Sequence, residues 1–564
     1  MSLKNLLLLL FCISISLPGL AQGKKNEEVL KKARLELIEG VKKGDLKQIE
    51  NSLKNGAETG IKDKDGTPLL FLSSSLQSPL REKVIDLLLD NKMNLNETNQ
   101  DRNSLLHLAV LNRDSKFIKY LLTKNIETNL KDRKGLSPLL LSITLREKEK
   151  IPEITKILVE AGVNLNLGDL DSRTALHYAA KDGNEELVRY LLNSKAEPDS
   201  KDVYDRTPLH EASYTGFLGI VQSLVEKKAS INAKDINEKS PLILAAEYAP
   251  EEDGLQVMNY LINKGAEINA ADRNGRTAMH ALSLRTHLKG MDLLIKRKSG
   301  VNQQDKQKRS PLFLVTENLS EGAAVQTATL LLQSGAKPDL SNTEKNTALQ
   351  VAVLRDFHQL VTLLLNSGAN PNALDLNLSS ALHLSRSHEV TKLLLDKGAK
   401  ADARDKDGIT PLHYAVNKQA GEMLLARGAK VDAKDSSDLY PHHFAALHGK
   451  ADLLELLLQK GANKLIDSKD ADGRTALMDA SKNGHTEAVK ILLKYKANVN
   501  LFDLESRSAL HEAVTFNQTE IVELLLSAKS RLDMKDDYGK TPIQIARALR
   551  YSKIEELLKK FGAK

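Results

Sequence analysis

Histidine carries most of the chemistry this chain could perform. Fourteen histidines stand in 564 residues, against a single cysteine, Cys12, and no tryptophan. Imidazole can ligate a metal or act as a general base near neutral pH. Either duty needs partners, carboxylates or further imidazoles, gathered once at ligand spacing. Eight of the fourteen instead repeat one setting. His107, His177, His210, His280, His383, His413, His443 and His511 are each the fourth residue of a tetrapeptide that begins with Ser or Thr, or with Tyr440 in one case. Eight copies in one register point to a structural duty, a hydrogen bond that bridges neighbouring units. The other six (His287, His358, His388, His442, His448, His485) do not pair with carboxylates at ligand spacing. His442, His443 and His448 form the one local cluster, and metal binding there is the weaker reading.

Other chemical signals fail on spacing. His210-Glu211 and His511-Glu512 start like a zinc-protease helix, but Tyr214 and Thr515 stand where the second histidine ligand is required. Gly539-Lys540-Thr541 ends like a phosphate loop, yet Met534 occupies the required upstream glycine. Aspartates recur one per unit rather than clustering as an oxygen cage, so they read as turn residues and not as calcium ligands. The sequence therefore assigns no catalytic residue, no cofactor and no metal. An enzyme with an unrecognised surface site stands as the alternative from another class.

The elements that hold these residues are short. In the unit from residue 202 to 235, Thr207 can cap the free N–H groups of a helix and Pro208 sits at its first position, where a missing N–H costs nothing. Leu209, Ala212 and Ser213 share one face, and Gly216 breaks the helix. A second helix follows, with Phe217, Ile220, Val221, Leu224 and Val225 on one stripe. Neither helix is long enough to persist alone in water, so each unit must bury its stripes against a copy of itself.

Copies are supplied. Openings recur at Thr67, Ser104, Ser137, Thr174, Thr207, Ser240, Thr277, Ser310, Thr347, Ser380, Thr410, Tyr440, Thr475, Ser508 and Thr541. Five residues before each opening from Ser104 onward stands Asp or Asn, whose side chain can tie down the preceding turn. The position ending each second helix requires a left-handed residue. It is Gly or Asn125 in ten units, and Lys92, Lys195, Lys228, Lys298, Lys496 or Lys529 in six. Four units are longer by one turn between their helices, and those opening at Ser380 and Thr410 are three residues shorter.

A period near 33 with Thr174-Ala175-Leu176-His177, Thr207-Pro208-Leu209-His210 and Thr410-Pro411-Leu412-His413 resembles the ankyrin repeat over residues 33–564. The resemblance implies an all-α solenoid of about sixteen helix-turn-helix repeats with short β-hairpin fingers. It also implies a concave side and finger tips that bind other proteins. Residues 33–66 read as the N-terminal cap repeat and 541–564 as the C-terminal one.

Residues 1–21 are a different object. Lys4, the apolar run from Leu6 to Leu17 and Gly19-Leu20-Ala21 read as a cleaved secretory signal, with a retained anchor as the alternative. A short basic lead, residues 22–32, precedes the repeats. Cleavage removes Cys12 and one lysine, so the mature chain has no thiol and its formal charge falls from +7 to +6. That surplus is dispersed among mixed charges, which excludes a nucleic-acid footprint, and no stable membrane anchor follows the signal. The expected location is periplasmic or extracellular.

Scarce apolar and aromatic residues mark where a partner would sit. Leu170, Val203 and Ile236 directly follow the finger aspartates of three consecutive units, with Tyr204 beside the second and Tyr178, Tyr214 and Tyr248 on the first helices nearby. Finger tips face water, so apolar residues there need a reason, and Tyr is a preferred interface anchor. Packing between fingers is the other explanation. The functional expectation is a non-enzymatic scaffold that binds another protein through residues 165–250, holding or neutralising it. A secreted factor directed at a host or competitor protein is the alternative. Partner identity and oligomeric state are not encoded legibly.

Overall fold

The computed structural model describes residues 26–145 and 151–564, so the signal segment, residues 1–21, lies outside the described residues. The chain divides into two compact units, residues 1–273 and 274–564. Each is an all-α stack of antiparallel helix pairs in which first helices pack on first helices and second on second.

Caps explain why such short helices form. Ser104, Thr174, Thr207, Thr277, Ser380, Thr410 and Ser508 are N-caps in extended conformation, each in a reciprocal capping box with the histidine three residues on. Pro208, Pro241 and Pro411 occupy first positions. The helix Pro208–Thr215 buries Leu209, Ala212 and Ser213, and Leu218–Glu226 buries Ile220, Val221 and Leu224. Phe217 departs from the expected stripe. It caps the second helix, is partly exposed, and lays its ring over Gly183 of the preceding unit, where any side chain would collide with it.

Second helices end in left-handed residues, lysines included. Lys92, Lys195, Lys228, Lys298, Lys496 and Lys529 have φ of 65, 70, 67, 61, 67 and 66°, and Asn125 has 58°. The fingers are tight turns more than hairpins: among the described residues the only bridges are the isolated Lys62–Pro68, Thr98–Ser104 and Ser341–Thr347. Asp202 shows how a turn is fixed. Its Oδ1 accepts from the N–H groups of Tyr204 and Arg206, both at 2.9 Å. Consecutive fingers are joined through their backbones: Val203 N–H donates to Asp171 O at 2.9 Å and Ile236 N–H to Tyr204 O at 2.8 Å.

Two expectations shift. The first helix runs over residues 26–43, so most of the basic lead is helical. The opening placed at Thr67 belongs to Pro68, which is the N-cap of Leu69–Leu72. Asp63 sets this register: its Oδ1 accepts from Asp65 and Thr67, at the offsets of two and four residues seen in the other fingers, so the cap falls one residue later than the tetrapeptide suggests. Thr67-Pro68-Leu69 is thus a coincidental match, and Phe71 stands in the place of the histidine.

Length changes are absorbed as helical turns. In the units opening at Ser240 and Ser310 the second helices, Glu251–Asn263 and Glu321–Gln333, have 13 residues where Leu218–Glu226 has 9. The two short units keep nine-residue second helices, His388–Asp396 and Lys418–Ala426, and reduce the first to the single turns Ala381–Leu384 and Pro411–Tyr414.

Candidate protein-binding groove

The motif histidines are staples between units. In His177, Nδ1 accepts from the Thr174 N–H at 3.2 Å and Nε2 lies 2.9 Å from the carbonyl of Arg206 in the next unit. A carbonyl only accepts, so Nε2 carries the proton and the ring is neutral. The same arrangement joins His107 to Leu136, His280 to Arg309, His383 to Ile409, His413 to Leu439 and His443 to Ser468. Burial lowers the pKa of His107, His177, His210, His383, His413, His443 and His511. His442 is buried where other units place an apolar residue. Neither nitrogen makes a well-formed hydrogen bond, the Leu465 backbone being the polar group that favours its charged form, and burial holds its pKa well below the ordinary value.

The aromatic patch has a centre. A cavity of about 270 Å³ lies within residues 204–248, lined by Tyr204, Arg206, His210, Glu211, Tyr214, Asp235, Ile236, Asn237, Lys239, Leu244 and Tyr248. Tyr214 and Tyr248 come from successive first helices and stack with ring centroids 4.7 Å apart. Tyr204 stands on the finger, with the Arg206 guanidinium 5.1 Å from its ring centroid. Arg206 is anchored from behind by Asp202 at 2.9 Å and Glu211 at 3.2 Å. Lys239 pairs with Glu247 and lies 5.2 Å from the Tyr248 centroid. Burial works against the lysine charge, but Glu247 more than offsets it, so the Lys239 pKa is raised.

Four of the seven residues singled out in the sequence, Tyr204, Tyr214, Ile236 and Tyr248, line this cavity. Leu170 and Val203 are exposed finger-tip residues beside it, 70% and 49% accessible. Tyr178 is occupied otherwise: its hydroxyl donates to Asp169 Oδ2 at 2.7 Å, and burial with that bond pushes its pKa up to about 12. The polar floor, Glu211 and Asp235, was not legible as a site. Their separation of 24 positions places them in adjacent repeats, and only stacking brings them together.

Among the described residues no group of three or more His, Cys, Asp or Glu is placed to hold a metal ion, and no helix is long and apolar enough to cross a membrane. Short capped helices supported only by their neighbours, presenting a surface groove, define a helical-repeat protein. The chain belongs to the ankyrin repeat family. Residues 37–132, 141–235, 281–375, 318–405, 349–435, 420–503 and 442–536 match the family described as Ankyrin repeats (3 copies), and 246–295 match Ankyrin repeats (many copies). Such repeats are generally protein-interaction modules.

Similar curated proteins include Protein glp-1 of Caenorhabditis elegans, 32% identical over 145 residues, which are 24% of this chain and 11% of that protein. Tyrosine-protein kinase Shark of Drosophila melanogaster is 33% identical over 18% of this chain and 11% of its own length. Putative ankyrin repeat protein L91 of Acanthamoeba polyphaga mimivirus is 31% identical over 24% of this chain and 22% of its own. The chain thus spans only about a tenth to a fifth of these relatives. Among solved structures, the ankyrin repeat domain of Bcl-3 is 28% identical, with a TM-score of 0.36 over 40% of this chain and 99% of that domain.

Proposed function

We propose that this chain is a non-enzymatic scaffold that acts outside the cytoplasm, after loss of residues 1–21, by holding another exported protein on the surface spanned by residues 165–250. One observation carries the reading. Three tyrosines, each close to half exposed, converge with Ile236 on a preformed cavity in a chain otherwise poor in aromatics. Rigid aromatic anchors around a pocket are the usual hot spots of protein interfaces. Leu170 and Val203 extend the apolar surface along the finger tips.

The test is capture from the exported fraction, followed by mass spectrometry, with the wild-type chain and a Leu170→Ser, Tyr204→Ser, Ile236→Ser triple variant of unchanged helicity. A partner retained by the wild type and lost by the variant supports the reading; equal retention removes it. Fractionation of periplasm and medium tests the location, and retention in the cytoplasm overturns export.

A further inference from the structure

We infer that the cavity receives the guanidinium group of an arginine from a protein partner. The inference rests on the groove being a binding surface and adds the chemistry of what it binds. The cavity, about 270 Å³, is smaller than the roughly 300–1,000 Å³ typical of small-molecule pockets and suits one long side chain. Tyr204, Tyr214 and Tyr248 line it, the last two stacked on one another, and tyrosine rings attract cations.

The floor supplies the second half of the recognition. Asp235 is only 8% exposed and lines the cavity. Its Oδ1 is taken by the N–H groups of Asn237 and Lys239, both at 2.8 Å, while among the described residues no donor reaches Oδ2. In two other fingers that oxygen is held by a guanidinium four residues on, Arg206 reaching Asp202 Oδ2 and Arg309 reaching Asp305 Oδ2, both at 2.9 Å, and in a third the Tyr178 hydroxyl holds Asp169 Oδ2. At Asp235 the fourth residue is Lys239, which turns away to Glu247. The contact that this fold makes internally in those two fingers is left open here for a guest. The charges lining the cavity balance, Arg206 and Lys239 against Glu211 and Asp235, and both cations are engaged by acids, Arg206 by Asp202 and Glu211 and Lys239 by Glu247. A planar guanidinium can lie on a tyrosine face and donate to a carboxylate at once, which an ammonium does less well.

The probe is an acetylated, amidated Gly-Ser peptide carrying one central arginine, titrated calorimetrically into the purified full chain. Peptides with citrulline, lysine or norleucine at the same position are the comparisons. Saturable binding of the arginine peptide is expected, weakened at least about tenfold by citrulline, which keeps the shape and loses the charge. Asp235→Asn should weaken it by a similar factor. That variant preserves the fold, since Asn99 and Asn342 make the same turn bonds in their own fingers. Tyr214→Phe with Tyr248→Phe should retain binding within about threefold, and Tyr214→Ala with Tyr248→Ala should lose it. Absence of saturable arginine binding, equal binding of citrulline, preference for lysine or norleucine, or indifference to Asp235→Asn each overturns the inference. If it falls while the triple serine variant still loses its partner, the groove stands with a different guest. If capture is also unaffected, both fall together.

Discussion

In the eight units that have it, the histidine staple satisfies buried groups on both sides of a repeat boundary. Gln350 shows what the position requires. Its Oε1 accepts from the Thr347 N–H at 2.8 Å, and its Nε2 donates to Ser379 O at 2.9 Å in the next unit. One acceptor and one donor at imidazole spacing are sufficient; charge and metal affinity are not needed. Replacing His177 by Gln should therefore cost less than about 1 kcal/mol, whereas His177→Leu should cost about 2–4 kcal/mol by orphaning the Thr174 N–H and the Arg206 carbonyl. Urea denaturation of the two variants decides this, and equal losses would contradict it. The role of the eight histidines was readable from sequence because repetition in one register is itself the signal. The floor of the groove was not, because Asp235 looks like any other finger aspartate until stacking sets Glu211 and the tyrosines around it.

At the scale of the element, the helix ends are set by the left-handed residue and the fingers by the aspartate, and both were legible as fixed offsets from the opening. Where the two signals disagree, the aspartate wins: Asp63 moves the first opening to Pro68 against the more obvious tetrapeptide. A pattern of four residues is weaker evidence than a turn whose hydrogen bonds fix its length. An exposed-looking tyrosine such as Tyr178 likewise gives no sign in sequence that Asp169 holds its hydroxyl. The lysines at helix ends carry an energetic consequence. A side chain at φ near +65° costs on the order of 1 kcal/mol relative to glycine. Lys195→Gly and Lys228→Gly should each stabilise their repeats by up to about that amount, less what glycine loses in chain entropy. Amide hydrogen exchange should show faster opening in the six lysine-ended units than in the glycine-ended ones, and uniform protection would count against the strain.

At the scale of the molecule, the same staples tie stability to pH. Wherever a histidine is the staple it must be neutral, since a proton on Nδ1 would face the backbone N–H that now donates to it. Burial lowers the folded-state pKa of these histidines, while the unfolded chain titrates near the ordinary 6.5. Above that value both states are neutral and the contribution is fully present. As the pH falls below it, the unfolded chain takes up protons that the folded chain refuses, so stability is lost. Each such group removes up to about 1.4 kcal/mol per pH unit until its folded pKa is reached. Residues 1–273 hold three histidines of lowered pKa with a staple, His107, His177 and His210. Residues 274–564 hold four, His383, His413, His443 and His511, together with the buried His442. The second unit should therefore lose protection first when the pH is lowered from 7.5 towards 5.5, before most carboxylates begin to titrate. Hydrogen exchange read separately over the two units, with exchange rates corrected for pH, measures this. A stability that is flat across that range, or a first unit that opens earlier, would show that the buried imidazoles do not set the acid limit.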